Sequence, residues 1–107
     1  MRFLLDTNAC IFFLNGNHPA LVRKVLAAGP RNLAVSSISV AELYFGASRS
    51  ARPDANAERV GTFLSEVGTY PFDTDCARRF GDVKASLLSA GTPVPDFDVA
   101  IAATALA

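Results

Sequence analysis

Three carboxylates stand where apolar segments or turns give way to helical patterns. Asp6 follows the apolar run 3–5, Glu42 lies in the first turn of a helix after the run 33–35, and Asp98 opens the last helix. Helices that follow parallel strands start at one edge of the sheet, so the three can converge. Converging carboxylates repel one another unless a cation lies between them, and all-oxygen ligands favour Mg²⁺ or Mn²⁺ over zinc. The pattern predicts metal-assisted phosphodiester hydrolysis.

Two of these positions, Asp6 and Glu42, also have a structural alternative. Asp6 could simply cap the helix that follows it. Ser39 and Glu42 match a capping box, in which Glu42 would reach back to the Ser39 amide. Asp96 is the natural N-cap of the last helix, which leaves Asp98 without a structural task. Asp96 is therefore a further candidate ligand, with the capping role favoured.

The sequence offers little competing chemistry. It has one histidine, His18, and no nucleophile elbow, glycine-rich phosphate loop or CxxC motif. Cys10 and Cys76 both fall in apolar helical patterns. They are interpreted as small buried hydrophobes in a reducing compartment, not as a disulfide or a metal pair.

Short apolar strands alternate with amphipathic helices along the chain. Strands are predicted at 3–5, 33–35 and 69–72, the first buried on both faces and the last at an edge or a bulge because of Pro71. Helices are predicted over 9–14, 19–28, 39–49, around 60–67, 74–90 and 97–107. This alternation predicts parallel βαβ units and a three-layer α/β/α fold with about three strands.

Length and composition set further limits. The 107 residues suffice for one domain, spanning 1–107, and the ten basic residues balance the ten acidic ones. Any nucleic acid must therefore be bound by a local patch. No apolar run could span a bilayer, and Asp6 interrupts the only stretch resembling a signal peptide, so we expect a cytoplasmic protein. The last helix is apolar nearly all round, which predicts burial and a domain truncated at its C-terminus.

Three sequence blocks together resemble the successive motifs of PIN-domain ribonucleases, and in detail the VapC-type toxins of bacterial toxin–antitoxin pairs. The blocks are Phe3-Leu4-Leu5-Asp6-Thr7-Asn8, Ser37-Ile38-Ser39-Val40-Ala41-Glu42-Leu43-Tyr44-Phe45-Gly46 and Gly91-Thr92-Pro93-Val94-Pro95-Asp96-Phe97-Asp98-Val99-Ala100-Ile101-Ala102-Ala103. Their order and spacing make the resemblance specific.

The resemblance implies that Asp6, Glu42 and Asp98 hold one or two Mg²⁺ or Mn²⁺ ions, with Thr7 and Asn8 shaping the surroundings of the first carboxylate. It implies endonucleolytic cleavage of RNA by a metal-activated water, a cognate antitoxin and a homodimer. The family normally continues into a further parallel strand and a fourth acidic or amide position, and this sequence stops before both. The rival hypothesis is a catalytically impaired, truncated PIN module that binds and titrates an antitoxin.

Two features could serve binding. Arg49, Arg52 and Arg59 cluster in sequence and could neutralise RNA phosphates, or could form a solvated connector. Four aromatic residues are more than three strands can easily bury, so we expect most of them in the core and the rest in a partner groove. These are Phe12, Phe13, Tyr44 and Phe45.

Overall fold

A computed structural model describes residues 3–107, which form three strands and six α-helices with one 3₁₀ turn at Pro30–Asn32. The strands are β1 (Phe3–Leu5), β2 (Leu33–Ser36) and β3 (Gly68–Tyr70). The helices are α1 (Thr7–Asn15), α2 (Pro19–Ala28), α3 (Ser37–Ser48), α4 (Pro53–Glu66), α5 (Thr74–Ser89) and α6 (Asp96–Leu106). The predicted order of elements is confirmed.

The sheet is parallel throughout, in the order β1-β2-β3. Central strand β2 pairs Ala34 with Leu4 on one side and with Gly68 on the other. Ala34 and Val35 point to opposite faces of the sheet, as neighbours in a strand must, and both are fully buried. Helices therefore cover both faces, and the predicted α/β/α layering is confirmed.

The outer strand β1 departs from its prediction. It was expected to be buried on both faces, yet Phe3 is 51% exposed and Leu4 and Leu5 are only partly buried. Within residues 3–107, β1 pairs with β2 alone and forms an edge of the sheet. An apolar run of this length cannot distinguish an edge strand from a central one.

One hydrophobic cluster joins the sheet to three helices. Its buried members are Cys10, Val35, Leu43, Val60 and Phe63, from α1, β2, α3 and α4. Because Cys10 is fully buried in this cluster and no disulfide involves it, its interpretation as a small core residue is confirmed. Cys76 is likewise free and buried.

Helix α6 is buried along one face only. Val99, Ala100, Ile101 and Ala103 are nearly inaccessible, whereas Leu106 is 60% exposed. The expectation of burial all round was therefore too broad.

The aromatic residues also depart from expectation. Most were expected in the core, but Phe12 is 39% exposed, Tyr44 40% and Phe45 64%. Phe13 is partly buried and packs on Phe63, with ring centroids 5.7 Å apart. The centroid of the Phe12 ring lies 4.1 Å from that of the His18 ring, and the Arg49 guanidinium lies over the Phe45 ring, so polar or charged neighbours accompany both.

Candidate active site

Asp6 lies directly after β1 and caps helix α1. Its backbone is extended, and its Oδ1 accepts a hydrogen bond of 2.7 Å from the amide of Ala9. This contact satisfies one of the amides that a helix leaves unpaired at its first turn. The carboxylate is exposed, so capping does not hide it from solvent.

Cys10 lies near the Asp6 carboxylate, and its thiol pKa is raised. The pKa of the Cys10 thiol is raised to about 12, first because Cys10 is buried and second because the Asp6 carboxylate disfavours a thiolate nearby. Cys10 is therefore an uncharged thiol at neutral pH and takes no part as a nucleophile.

Glu42 does not form the capping box that was the structural alternative to a site role. Helix α3 begins earlier than predicted, at Ser37, and its N-cap is Ser36, whose side chain accepts a 3.1 Å hydrogen bond from the Ser39 amide. Ser39 and Glu42 thus both lie inside the helix. The Ser39 amide that Glu42 was to bond is already paired.

Glu42 instead accepts a hydrogen bond from Thr7 across the start of two helices. Thr7 Oγ1 lies 2.5 Å from Glu42 Oε1 and 3.1 Å from Ser39 Oγ. A threonine hydroxyl carries one proton and a carboxylate can only accept, so the proton points to Glu42 and Ser39 can donate in turn to Thr7. This contact links α1 to α3 and fixes one oxygen of Glu42.

Asp98 and Asp96 lie two positions apart on α6 but in different surroundings. The N-cap of α6 is Pro95, with no side-chain capping bond, so the expectation that Asp96 caps this helix was wrong. Asp96 Oδ1 instead forms a partly exposed ion pair of 3.1 Å with Lys84 Nζ of α5. Asp98 lies on the side of the helix that faces Asp6 and Glu42 across a cavity.

That cavity has a volume of about 740 Å³. It brings together Asp6, Glu42 and Asp98, and Thr7 and Asn8 lie on its wall as well. The remaining lining residues are Ile11, Ala41, Phe45 and Phe97. Asp96 is not among these lining residues.

The three carboxylates line one cavity but do not form a tight cluster. Across residues 3–107, no group of three or more histidine, cysteine, aspartate or glutamate side chains is close enough to hold a metal ion directly. The donor set is nonetheless all oxygen, which suits a hard cation that keeps several of its waters.

The three arginines differ in their contacts. The Arg49 guanidinium lies 5.9 Å from the ring centroid of Phe45. Arg59 donates to the backbone carbonyl of Leu14, and more weakly at 3.4 Å to Asn56 Oδ1. Arg52 is the exposed residue that precedes α4. None of the three is a wall residue of the acidic cavity described here.

Sequence reasoning missed four residues of the cavity wall, Ile11, Ala41, Phe45 and Phe97, of which the two phenylalanines have the largest side chains. Phe97 is 55% exposed and lies between two aspartates at the start of a helix. A large apolar side chain at such a position cannot cap the helix, so its presence calls for another explanation. That position was the available signal. Phe45 carried no comparable local signal.

Comparison with known proteins shows the family of this chain. The profile of the family described as PIN domain matches residues 3–107. The chain belongs to the PIN-domain family. Among curated relatives of this PIN-domain chain, the tRNA(fMet)-specific endonuclease VapC of Salmonella typhimurium is 36% identical over 102 residues, covering 95% of the chain and 76% of the relative. Ribonuclease VapC2 of Rickettsia felis is 31% identical over 108 residues, covering 100% and 81%.

The fold comparison agrees with the sequence comparison. The PIN-domain chain superposes on the structure of DNA-bound VapBC from Salmonella typhimurium with a TM-score of 0.90 and 34% identity, covering 98% of this chain and 79% of that one. The resemblance to VapC-type toxins is thereby confirmed. None of the helices within residues 3–107 combines the length and apolar character needed to cross a bilayer.

Proposed function

We propose that this PIN-domain chain is a metal-dependent endoribonuclease toxin. The observation that carries the proposal is the shared cavity of Asp6, Glu42 and Asp98, three carboxylates from three separate segments with no basic side chain on the cavity wall. The names of the relatives, an endonuclease and a ribonuclease, support RNA as the substrate.

Asp6, Glu42 and Asp98 would hold Mg²⁺ or Mn²⁺, and Asp96 is a weaker candidate because Lys84 already pairs with it. A bound divalent ion supplies charge stabilisation at the scissile phosphate and lowers the pKa of a water molecule. Without a cation, an acidic cavity would repel the phosphates of RNA.

The protein's own contacts prepare the carboxylates for this role. The Ala9 amide engages one oxygen of Asp6, and the Thr7 hydroxyl engages one oxygen of Glu42. Each carboxylate has two oxygens, so both keep one for a ligand. Holding the first oxygen fixes the orientation of the second, which lowers the entropy lost when a ligand binds.

We extend the proposal to the partners. A cognate antitoxin is proposed because the Salmonella relative was solved as VapBC, and a homodimer is proposed on the resemblance to VapC-type toxins. The half-exposed rings of Phe12 and Tyr44 are apolar surface that a protein partner could cover. The proposed location is the cytoplasm.

The test uses two aspartates of one helix as a matched pair. Asp98→Asn should lower the rate of Mn²⁺-supported RNA cleavage by two orders of magnitude or more, because it keeps the shape and removes the charge from the cavity. Asp96→Asn removes a charge two positions away, outside the cavity, and should retain most of the rate. Cleavage of a labelled RNA is followed on a gel, with chelator as the blank. Full activity in chelator, or an unchanged rate in Asp98→Asn, would refute the metal site, whereas an equal loss in both variants would add Asp96 to it.

A further inference from the structure

Two exposed phenylalanine rings flank the carboxylates, and no contact of the proposed chemistry uses them. Phe45 of α3 is 64% exposed and Phe97 of α6 is 55% exposed, and both line the acidic cavity. Neither belongs to the hydrophobic cluster that joins β2 to helices α1, α3 and α4. Leaving two large rings in water costs burial that a folded chain normally gains, so a ligand that covers them is favoured.

The chemistry of the cavity indicates what that ligand is. A nucleic acid strand presents phosphates and flat bases in alternation. Carboxylates with a bound cation suit the phosphate, and an exposed aromatic ring suits the base, because every base has a π-face. Bases can reach such rings only when they are unpaired, as in loops and single strands.

A cation stands beside one of the rings. The Arg49 guanidinium lies 5.9 Å from the Phe45 ring centroid, within the range of a cation–π contact. Arg59 is engaged by the Leu14 carbonyl and Asn56, so it is less available to a ligand. Arg49 is therefore the arginine placed to meet a phosphate next to a base that rests on Phe45.

Building on the proposed function, we propose that Phe45 and Phe97 are stacking platforms for unpaired RNA bases on either side of the cleaved phosphate, with Arg49 neutralising an adjacent phosphate. They are positioning residues, which set where along a strand the carboxylates act. The chain would accordingly prefer single-stranded loops to duplex RNA.

The experiment measures RNA binding separately from cleavage. A fluorescent single-stranded oligoribonucleotide is titrated with protein carrying Asp98→Asn, and the same samples are run on a gel for cleavage. In this background Phe45→Leu should weaken binding about tenfold, because leucine is apolar but has no π-face, and Phe45→Tyr should stay within about twofold. Phe97→Leu should weaken binding by a similar factor. Leu88→Ala, at an equally exposed apolar position outside the cavity, is the control and should have no effect.

An abasic ribose scanned along the oligonucleotide sharpens the test. At one position of the oligonucleotide, removing the base should weaken RNA binding by the protein that retains Phe45. The same removal should not further weaken RNA binding by Phe45→Leu, since both changes remove the same contact. Arg49→Ala should reduce the slope of log affinity against log salt by about 0.7, the value for one phosphate contact on a single strand.

The outcomes separate this inference from the function on which it rests. If RNA binds with the predicted Phe45 dependence but the parent chain never cleaves, the nuclease proposal fails and the stacking platform stands. If the parent chain cleaves RNA and Phe45→Leu binds as tightly as Phe45→Tyr, the platform is refuted while the nuclease proposal stands. Failure of the chain to bind single-stranded RNA at all also overturns it.

Discussion

Two helix starts in this chain have the same local design and different surroundings. Asp6 follows parallel strand β1 and accepts a 2.7 Å hydrogen bond from the Ala9 amide. Asp73 follows parallel strand β3 by a short connection and accepts a 3.0 Å hydrogen bond from the Cys76 amide. Each carboxylate thus caps the helix of a βα unit. Capping alone therefore cannot distinguish a functional site from a purely structural connection between strand and helix.

The difference lies in what the rest of the fold brings to each aspartate. Across the cavity from Asp6 stand Glu42 and Asp98. The cavity beside Asp73, of about 650 Å³, is lined mainly by apolar groups and has no second acidic side chain on its wall. A capping carboxylate therefore becomes a candidate ligand only when tertiary structure adds partners of the same charge, since these create a need for a cation.

The largest expected effect is a difference in RNA cleavage between substitutions at Asp6 and at Asp73. Asn caps a helix about as well as Asp, so Asp6→Asn and Asp73→Asn should both fold. Asp6→Asn should lower RNA cleavage by about a hundredfold or more, because it removes a charge from the cavity. Asp73→Asn should leave the rate within about twofold. Initial rates of RNA cleavage in Mn²⁺, with circular dichroism to verify folding, measure both.

Equal effects of the two substitutions would contradict the distinction between Asp6 as a candidate metal ligand and Asp73 as a structural cap. Equal large losses would mean that the negative charge at either helix start, and not membership of the acidic cavity, limits activity. Equal small effects would remove Asp6 from the chemistry.

A smaller effect is expected on stability. A cation that binds only the folded chain stabilises it by about 2.7 kcal/mol at a hundredfold excess over its dissociation constant. For a domain of this size we expect Mn²⁺ to raise the melting temperature by about 10 °C. Asp6→Asn should abolish that increment, and it should raise the melting temperature of the metal-free chain, because one of three repelling charges is gone.

The matched control for this measurement is again Asp73→Asn, which should keep the whole Mn²⁺ increment. Thermal melts of the parent and both variants, with and without Mn²⁺, give the six values needed. An increment that survives in Asp6→Asn and disappears in Asp73→Asn would place the cation beside Asp73 and not in the acidic cavity.

Much of this candidate site could be predicted from local sequence, because Asp6 and Asp98 each lie at the start of a helix that the apolar pattern indicates. Asp6 follows an apolar run, and Asp98 opens an apolar helix. The capping box failed for a tertiary reason. Ser36 and Ser39 could both cap, and the choice falls on Ser36 because it ends β2, where it pairs in register with Tyr70. That register depends on a strand more than thirty residues away, which the local pattern does not contain.

The misassigned Asp96 has a similar cause. Its sequence position fits an N-cap, but helices α5 and α6 pack together and bring Lys84 to within 3.1 Å of it. Helix packing of this kind depends on side chains far apart in sequence, so local reasoning could not anticipate the ion pair. The exposure of Phe45 has the same origin, because which face of α3 is covered depends on its neighbours.

The smallest effect tests whether Asp73 is a cap and nothing more. Hydrogen bonding from the Cys76 amide, and next from the Cys76 thiol, holds the pKa of Asp73 below its ordinary value of 3.8. A carboxyl whose pKa is lowered by folding adds stability above its unfolded pKa and loses it as the pH falls through the folded value. Asp73→Asn caps without titrating, so the parent's advantage in unfolding free energy over this variant should shrink as the pH falls from 6 to 2. Urea denaturation at several pH values measures it, and Asp73→Ser, another uncharged cap, should follow the Asn variant. The effect should be small because Asp73 is fully solvent-exposed. A parent-minus-variant difference that stays constant down to pH 2 would contradict a charge-assisted cap and leave Asp73 as a polar residue of no electrostatic consequence.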